Sequence, residues 1–165
     1  MPTFWLDANV YIRPHREGFY SFGLAPTFWQ LLEQKANEGV IASPRQVYTE
    51  LAGFGDNLAD WVIARQNSSL FVDASQLVQE SVTRVADYIM QNYRGHRAEE
   101  FLGGADPWVI AHAIADNGIV VTYETRRDLT AQTPKIPNVC QAFRVRCVTL
   151  YQMLQELGIV LEFKG

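Results

Sequence analysis

Short runs of apolar residues alternate with segments of helical periodicity along the chain, and this alternation restricts the fold more than any other feature. Five runs have the length and composition of buried β-strands: residues 3–6, 40–42, 70–72, 119–122 and 147–149. Because helical segments separate these runs, the strands are expected to lie parallel, with the helices covering the sheet. The sequence therefore predicts an α/β fold, a three-layer sandwich around a central, mostly parallel sheet of four to five strands.

Apolar residues three and four positions apart predict the helices that cover this sheet. A loop is expected over residues 13–25, and Pro26 then begins a helix. Ser43 is expected to cap the next helix, with Pro44 as its first residue. Residues 94–97 are expected to form a polar connection. The other predicted helices span residues 45–54, 75–90, 106–117, 138–143 and 150–157.

The composition is typical of a globular protein. Hydrophobic residues make up 48% and charged residues 19% of the 165 positions, which argues against disorder and suits one ordinary domain. The longest apolar runs are too short to span a bilayer, and the N-terminus lacks the basic region of a signal peptide. Cys140 and Cys147 are too few for a disulfide framework. We therefore expect a single domain over residues 1–165 that acts in a reducing cytoplasm, without a membrane.

The charge of the chain narrows the class of function. Its net charge of −4 argues against a protein that coats nucleic acid without specificity. An enzyme that gathers acids in a metal site and places bases around it remains compatible with this charge.

Four acidic residues are predicted to meet at the carboxyl edge of the sheet. Asp7 follows the first strand, Glu124 follows the fourth, Glu50 lies in the helix after the second, and Asp106 begins the helix before the fourth. Ligands of open parallel sheets bind beyond the carboxyl ends of the strands. Clustered carboxylates repel one another unless a cation lies among them, and hard divalent cations prefer oxygen ligands. Because no histidine stands at ligand spacing, the cluster favours Mg²⁺ or Mn²⁺ over zinc.

Each acid also has an ordinary structural interpretation. Asp7 could cap a turn, Asp106 could be the N-cap of the helix that Pro107 opens, and the two glutamates could be solvated surface residues. For any one of them alone, the structural interpretation is favoured. Their shared location favours the functional one.

The same acids lie in four motifs that resemble those of PIN-domain nucleases. Residues 6–10, Leu-Asp-Ala-Asn-Val, resemble the opening Asp-x-Asn signature, and residues 47–51 resemble the second acidic motif. Residues 106–111 and 121–124 resemble the third and fourth motifs. The four occur in order and span nearly the whole chain. Residues 136–150 are similar to an uncharacterised PIN-like subgroup.

This resemblance implies a PIN-like fold and an endoribonuclease that uses Mg²⁺ or Mn²⁺, as the VapC-type toxins of toxin–antitoxin pairs do. By analogy, Asp7, Asp106 and Glu124 bind the metal directly, and Glu50 completes the catalytic set by positioning metal or water. The fourth acid is a departure, because the family usually carries Asp where this chain has Glu124. Asp128, four residues later, is the alternative ligand.

The resemblance also implies roles for neighbouring residues and for partners. Asn9 and Thr122 would orient the acids that bind the metal without binding the metal themselves. Arg13 and Arg127, which lie near the same edge, are the candidate substrate-binding residues. The expected partner is an RNA substrate. An antitoxin protein would be a further partner if the chain is a toxin, and homodimers are usual in the resembled family.

Three alternatives remain beside the ribonuclease. A PIN-like module without catalysis could bind RNA or protein, although such a scaffold has no need of clustered carboxylates. An aspartyl-nucleophile phosphatase requires an acid two residues after Asp7, where this chain has Asn9, and a lysine in the stretch between Lys35 and Lys135, where none occurs. A receiver-like signalling domain requires paired acids near the N-terminus, and that pair is missing.

Overall fold

Five parallel strands form the centre of the computed structural model, which describes residues 3–124 and 132–162. The strands are β1 (Phe4–Leu6), β2 (Ile41–Pro44), β3 (Phe71–Val72), β4 (Ile119–Val121) and β5 (Cys147–Val148). Their order across the sheet is β3-β2-β1-β4-β5, and every neighbouring pair is parallel. Helices flank the sheet, so the predicted three-layer α/β fold is confirmed.

The helices between the strands pack on the sheet and on one another. They are α1 (Asn9–Glu17), α2 (Pro26–Asn37), α3 (Arg45–Ala52), α4 (Asn57–Ile63), α5 (Gln76–Asn92), α6 (His96–Gly103), α7 (Asp106–Asp116), α8 (Ile136–Ala142) and α9 (Leu150–Glu156). Helix α7 packs along α5 and contacts β1, β2 and β4. In the described part of the chain, no helix combines the length and the apolar character needed to cross a bilayer.

The central strand β1 is completely buried, which fixes the register of the sheet. Phe4 pairs with Ile41 on one side and with Ile119 on the other. Trp5 and Leu6 are fully enclosed by the core. Burial of such side chains stabilises the fold by about 1.5–3 kcal/mol each. The position where β1 ends is therefore held firmly.

The prediction of a loop over residues 13–25 is wrong for its first part, because α1 extends to Glu17. Pro14 lies inside this helix, where its ring removes one helical hydrogen bond. Pro14 is buried, and its packing offsets that loss. Gly18 ends the helix with a φ of 80°, a conformation that glycine adopts without strain.

The expected cap at Ser43 is also wrong, because β2 continues to Pro44 and Pro44 is the N-cap residue of α3. The Ser43 hydroxyl instead donates to the carbonyl oxygen of Leu6 over 2.7 Å. It also shares a 2.8 Å hydrogen bond with the Tyr11 hydroxyl. This buried network joins the ends of β1 and β2 to α1.

Two short helices, α4 and α6, were not predicted from the periodicity. The side chain of Asp56 caps α4 by accepting a hydrogen bond from the Ala59 N–H over 2.8 Å. Helix α6 begins at His96, inside the segment expected to be a polar connection, after Gly95 with a φ of 77°. Both helices are too short for a clear apolar repeat, so only their first residues carry a signal.

Gly118, just before β4, is required by a close approach of the chain to Trp5. A Cβ atom at this position would lie 3.0 Å from Trp5 Cδ1 and 3.1 Å from the Thr3 carbonyl oxygen. Trp5 is fully buried and cannot move away cheaply. We expect Gly118→Ala to lower the free energy of unfolding by roughly 1–3 kcal/mol.

Chemical denaturation measures this effect. Gly23→Ala is the control, because a Cβ atom there meets nothing within 4 Å and its φ is not positive. Equal stability of the two variants would contradict the proposed crowding at Trp5.

Candidate active site

The carboxyl ends of β1 and β4 form the candidate site. From β1 the chain passes to β2 on one side of the sheet, whereas β4 and β5 lie on the other side of β1. A crevice that binds ligands opens at such a reversal in parallel sheets. Asp7 follows β1 directly, and Thr122 and Glu124 follow β4. The fold therefore brings the first and fourth motifs to one point.

Asp7 is buried at this point, with an exposed fraction of 1%. Its Oδ1 accepts a hydrogen bond from the backbone N–H of Asn9 over 2.7 Å, and its Oδ2 accepts one from the Thr122 hydroxyl over 2.6 Å. Burial raises the pKa of Asp7 to about 6, the two hydrogen bonds oppose this rise, and the charges of Glu124 and Glu50 add to it. The carboxylate is thus fixed in position and costly to ionise.

Asp106 is the first residue of α7, and Ala105 is the N-cap residue, with no side-chain cap hydrogen bond. The structural interpretation of Asp106 as the N-cap is therefore wrong. Burial raises the pKa of Asp106 to about 8, and repulsion from Asp7 and from the two glutamates adds to the rise, while Lys135 lowers it. Such mutual repulsion is what a bound cation would relieve.

Glu124 is anchored by two backbone contacts. Its own N–H donates to the Thr122 hydroxyl oxygen over 3.1 Å. Its side-chain Oε2 accepts a hydrogen bond over 2.8 Å from the N–H of Ile136, the first residue of α8. The longer side chain of a glutamate here spans the distance from β4 to the N-terminus of α8.

Glu50 lies near the end of α3 and is the most exposed of the four acids. Partial burial raises the pKa of its carboxyl group. A cavity of about 460 Å³ opens beside it, with Gln46, Thr49 and Trp108 among its lining residues. Glu50 therefore stands at the side of the acid cluster rather than inside it.

A larger cavity, of about 670 Å³, opens directly on the acids. Asp106 and Glu124 line it together with two cations, Arg97 and Lys135. Arg97 carries no clear signal in the sequence, because it falls on the short helix α6. Lys135 can be located from the sequence, because Ile136-Pro137 marks the start of α8 just after it. This start lies at the carboxyl edge of the sheet, close to the acids.

Of the two arginines expected to bind the substrate, Arg13 and Arg127, only Arg13 lies within the described residues. Arg13 lies in α1 rather than in a loop, and its guanidinium binds Glu17 through hydrogen bonds of 2.9 and 2.8 Å. It also lies over the ring of Tyr123, 4.9 Å from the ring centre. Arg127, and with it the alternative acid Asp128, falls outside the described residues.

The sequence as a whole identifies the family. It matches the model of a domain of unknown function, DUF4411, over residues 4–161. The chain belongs to the DUF4411 family. No curated protein matches the sequence.

A solved structure shares the fold of this DUF4411 chain. It is a crystal structure of VapBC2 from Rickettsia felis, bound to a DNA fragment from their promoter. The similarity has a TM-score of 0.53 at 14% identity and covers 88% of this chain and 97% of the other. At that identity the likeness concerns the fold alone, and the expected PIN-like fold is confirmed.

The donor chemistry of the DUF4411 site suits a hard divalent cation, although its ligands are not preassembled. Within residues 3–124 and 132–162, no three acidic, histidine or cysteine side chains stand close enough to ligate one ion together. The charges of Glu50 and Glu124 nevertheless help to raise the pKa of both Asp7 and Asp106, and all four acids offer oxygen. To form the ligand set, Asp106 and the two glutamates would have to turn toward the fixed Asp7, and Glu124 would have to release or share its bond to the Ile136 N–H.

Thr122 offers a direct test of how Asp7 is held. Thr122→Val keeps the side-chain shape and removes the hydroxyl that bonds both Asp7 and the Glu124 N–H. Loss of a partner that orients a metal ligand typically costs 10–100-fold in metal affinity or activity. If the chain cleaves RNA, as the resemblance implies, we expect a loss of about that size in the cleavage rate, measured on a labelled RNA with Mn²⁺.

The control for this test is Thr122→Ser, which retains the hydroxyl. It should keep most of the activity of the natural chain. Equal activity of the valine and serine variants would contradict an orienting role for the Thr122 hydroxyl.

Proposed function

We propose that this DUF4411 chain is a metal-dependent endoribonuclease in which Asp7, Glu50, Asp106 and Glu124 form the catalytic acid cluster. The observation that carries the proposal is the burial of Asp7, with both of its oxygens fixed by hydrogen bonds, at the sheet edge where Asp106 and Glu124 line one cavity. Burying mutually repelling carboxylates is costly, and a scaffold has no use for the arrangement. The segment that contains the four acids, residues 4–161, would act as one nuclease domain.

Asp7, Asp106 and Glu124 are the proposed ligands of Mg²⁺ or Mn²⁺. When bound, the ion supplies an activated water for attack on a phosphodiester and neutralises charge on the leaving oxygen. Asp7 is the fixed member of the set, since both of its oxygens accept hydrogen bonds and each retains a further lone pair. Asp106 rests at the N-terminus of α7, where the helix dipole favours its charged form once its neighbours are neutralised.

The other residues have supporting roles in the proposal. Glu50, the exposed acid, would orient the attacking water or a second ion. Thr122 holds both Asp7 and the backbone of Glu124, and the N–H of Asn9 holds the second Asp7 oxygen. Proton uptake by the leaving oxygen would come from solvent in the open cavity at Asp106.

The proposed biological setting is a toxin–antitoxin pair. The solved VapBC2 structure shares the fold, and VapC-type proteins are the family that the motifs resemble. The chain would then be a toxin that an antitoxin protein neutralises, and it would form homodimers. The nuclease proposal does not depend on this setting.

The test is cleavage of a labelled single-stranded RNA by the purified full chain with Mg²⁺ or Mn²⁺, followed on a denaturing gel. We expect cleavage that EDTA stops and that Asp7→Asn removes. The matched control is Asp116→Asn, which neutralises an acid at the far end of α7. This control should cleave as the natural chain does.

Three outcomes would contradict the proposal. Cleavage that persists in EDTA, or in Asp7→Asn, would contradict the metal-bound acid cluster. RNA binding without cleavage under either metal would indicate the non-catalytic module. Hydrolysis of p-nitrophenyl phosphate without RNA cleavage would indicate a phosphatase.

A further inference from the structure

We propose that Arg97 and Lys135 bind the phosphate backbone of the RNA strand beside the acid cluster. The inference rests on the proposed ribonuclease function and adds the part of the site that holds the substrate. It concerns the 670 Å³ cavity, which is called the substrate cavity below and which these two cations line together with Asp106 and Glu124.

The substrate cavity has an uneven distribution of charge. Asp106 and Glu124 lie at the end of the sheet, and Lys135 immediately precedes α8. Helix α6 contributes Arg97 and also one further acid, Glu100, to the cavity wall. Lys135 and Asp106 line the same cavity, so the cation and the acid share one space. A phosphodiester placed at the acids would therefore have positive charge beside it on the cavity wall.

Among the described residues, Arg97 is positioned for this role by a neutral hydrogen-bond partner. Its Nη1 donates to the Thr133 hydroxyl over 2.7 Å, and Thr133 also lines the substrate cavity. A guanidinium carries five N–H donors, and most of them remain for a phosphate, which it can bind in a two-point fork. Thr133 thus directs the group and leaves its charge uncompensated.

Neither cation of the substrate cavity is neutralised within the described chain. Among the ion pairs formed by residues 3–124 and 132–162, none includes Arg97 or Lys135. Four of the eight other arginines of the described chain, Arg13, Arg45, Arg65 and Arg146, are held by an acid. Two unpaired cations on the wall of the cavity that contains the acids are what a polyanion substrate requires.

Arg13 differs from Arg97 in this respect. Its charge is already met by Glu17 and by the face of the Tyr123 ring. Glu17 offsets the positive charge that a phosphate would meet at Arg13 and occupies two of its N–H donors. We therefore expect Arg13 to contribute less to RNA binding than Arg97.

The test is the affinity of the full chain for a fluorescent single-stranded RNA, measured by anisotropy over a series of KCl concentrations in EDTA. Each phosphate contact adds about 0.7 to the slope of log affinity against log salt for a single strand. Arg97→Gln and Lys135→Gln should each lower the slope by about that amount. At 0.1 M KCl each should weaken binding about fivefold.

Arg144→Gln is the matched control, because Arg144 is exposed and precedes β5, at the opposite edge of the sheet. It should bind as the natural chain does. The proposal is overturned if Arg97→Gln and Lys135→Gln keep the affinity and slope of the natural chain, if Arg144→Gln loses as much as they do, or if the natural chain does not bind the RNA.

Cleavage measured in parallel separates this proposal from the nuclease proposal. A natural chain that binds RNA through Arg97 and Lys135 but never cuts it would contradict only the nuclease. A natural chain that cuts RNA while both variants bind as it does would contradict only the assignment of the substrate cavity.

Discussion

Replacing Asp106 with asparagine is expected to reduce RNA cleavage by about 10³-fold, which corresponds to about 4 kcal/mol of lost transition-state stabilisation. Asparagine has almost the same shape but cannot supply the negative charge that a divalent cation requires. Because Ala105 and not Asp106 is the N-cap residue of α7, the helix should still form. The measurement is the single-turnover rate on a labelled RNA with Mn²⁺.

Asp116→Asn again provides the control for this loss, since it changes the same helix at its other end. Its rate should stay within about twofold of the natural rate, as expected for a surface change away from the site. A normal rate in Asp106→Asn would remove Asp106 from the catalytic set. A variant that does not fold would instead identify Asp106 as a structural acid.

The metal-free stability of the natural chain should fall as the pH rises from about 4 to about 8, relative to Asp106→Asn. Burial first, and then repulsion from Asp7, Glu124 and Glu50, raises the folded-state pKa of Asp106 from 3.8 to about 8. Between these two values the folded chain binds more protons than the unfolded chain. Its stabilisation from the protonated group is therefore complete below pH 4 and is lost as the pH rises through 8. The expected change in the free energy of unfolding is roughly 2–4 kcal/mol.

Comparison with Asp106→Asn removes the effect of other groups that titrate in this window. Burial lowers the pKa of His112 to about 4, so His112 acts in the opposite direction and destabilises the fold as the pH falls below 6.5. Asp7, with its pKa raised to about 6, acts in the same direction as Asp106. Urea titrations in EDTA at several pH values give the difference. A stability difference that does not change with pH would mean that Asp106 is not a buried, repelled carboxyl group.

The strands, and with them the location of the site, could be predicted from the sequence because both depend on strongly periodic or continuous burial. The residues after β1 and β4 meet because parallel strands end at one edge of the sheet. The strand pattern alone was therefore enough to predict that Asp7 and Glu124 lie at this edge. Asp106 could be placed because Pro107 marks a helix start. These predictions rest on local patterns that the core reinforces.

The rest of the site depends on contacts between segments far apart in the chain. The bond from Ile136 to Glu124 and the contact of Arg97 with Thr133 join loops and short helices that no local pattern predicts. The extent of α1 was missed because Pro14 normally ends a helix, whereas here its burial outweighs the lost hydrogen bond. Tertiary packing decided each of these cases.

Thermal unfolding during a Mn²⁺ titration tests most directly whether the acid cluster binds a metal. Ligand that binds only the folded chain stabilises it by about 2.7 kcal/mol at a hundredfold excess over Kd. For a chain of this size the melting temperature should then rise by roughly 5–10 °C. We expect this rise for the natural chain and for Asp116→Asn, and we expect it to be lost in Asp106→Asn. An equal rise in Asp106→Asn, or no rise in the natural chain, would contradict a metal site at these four acids.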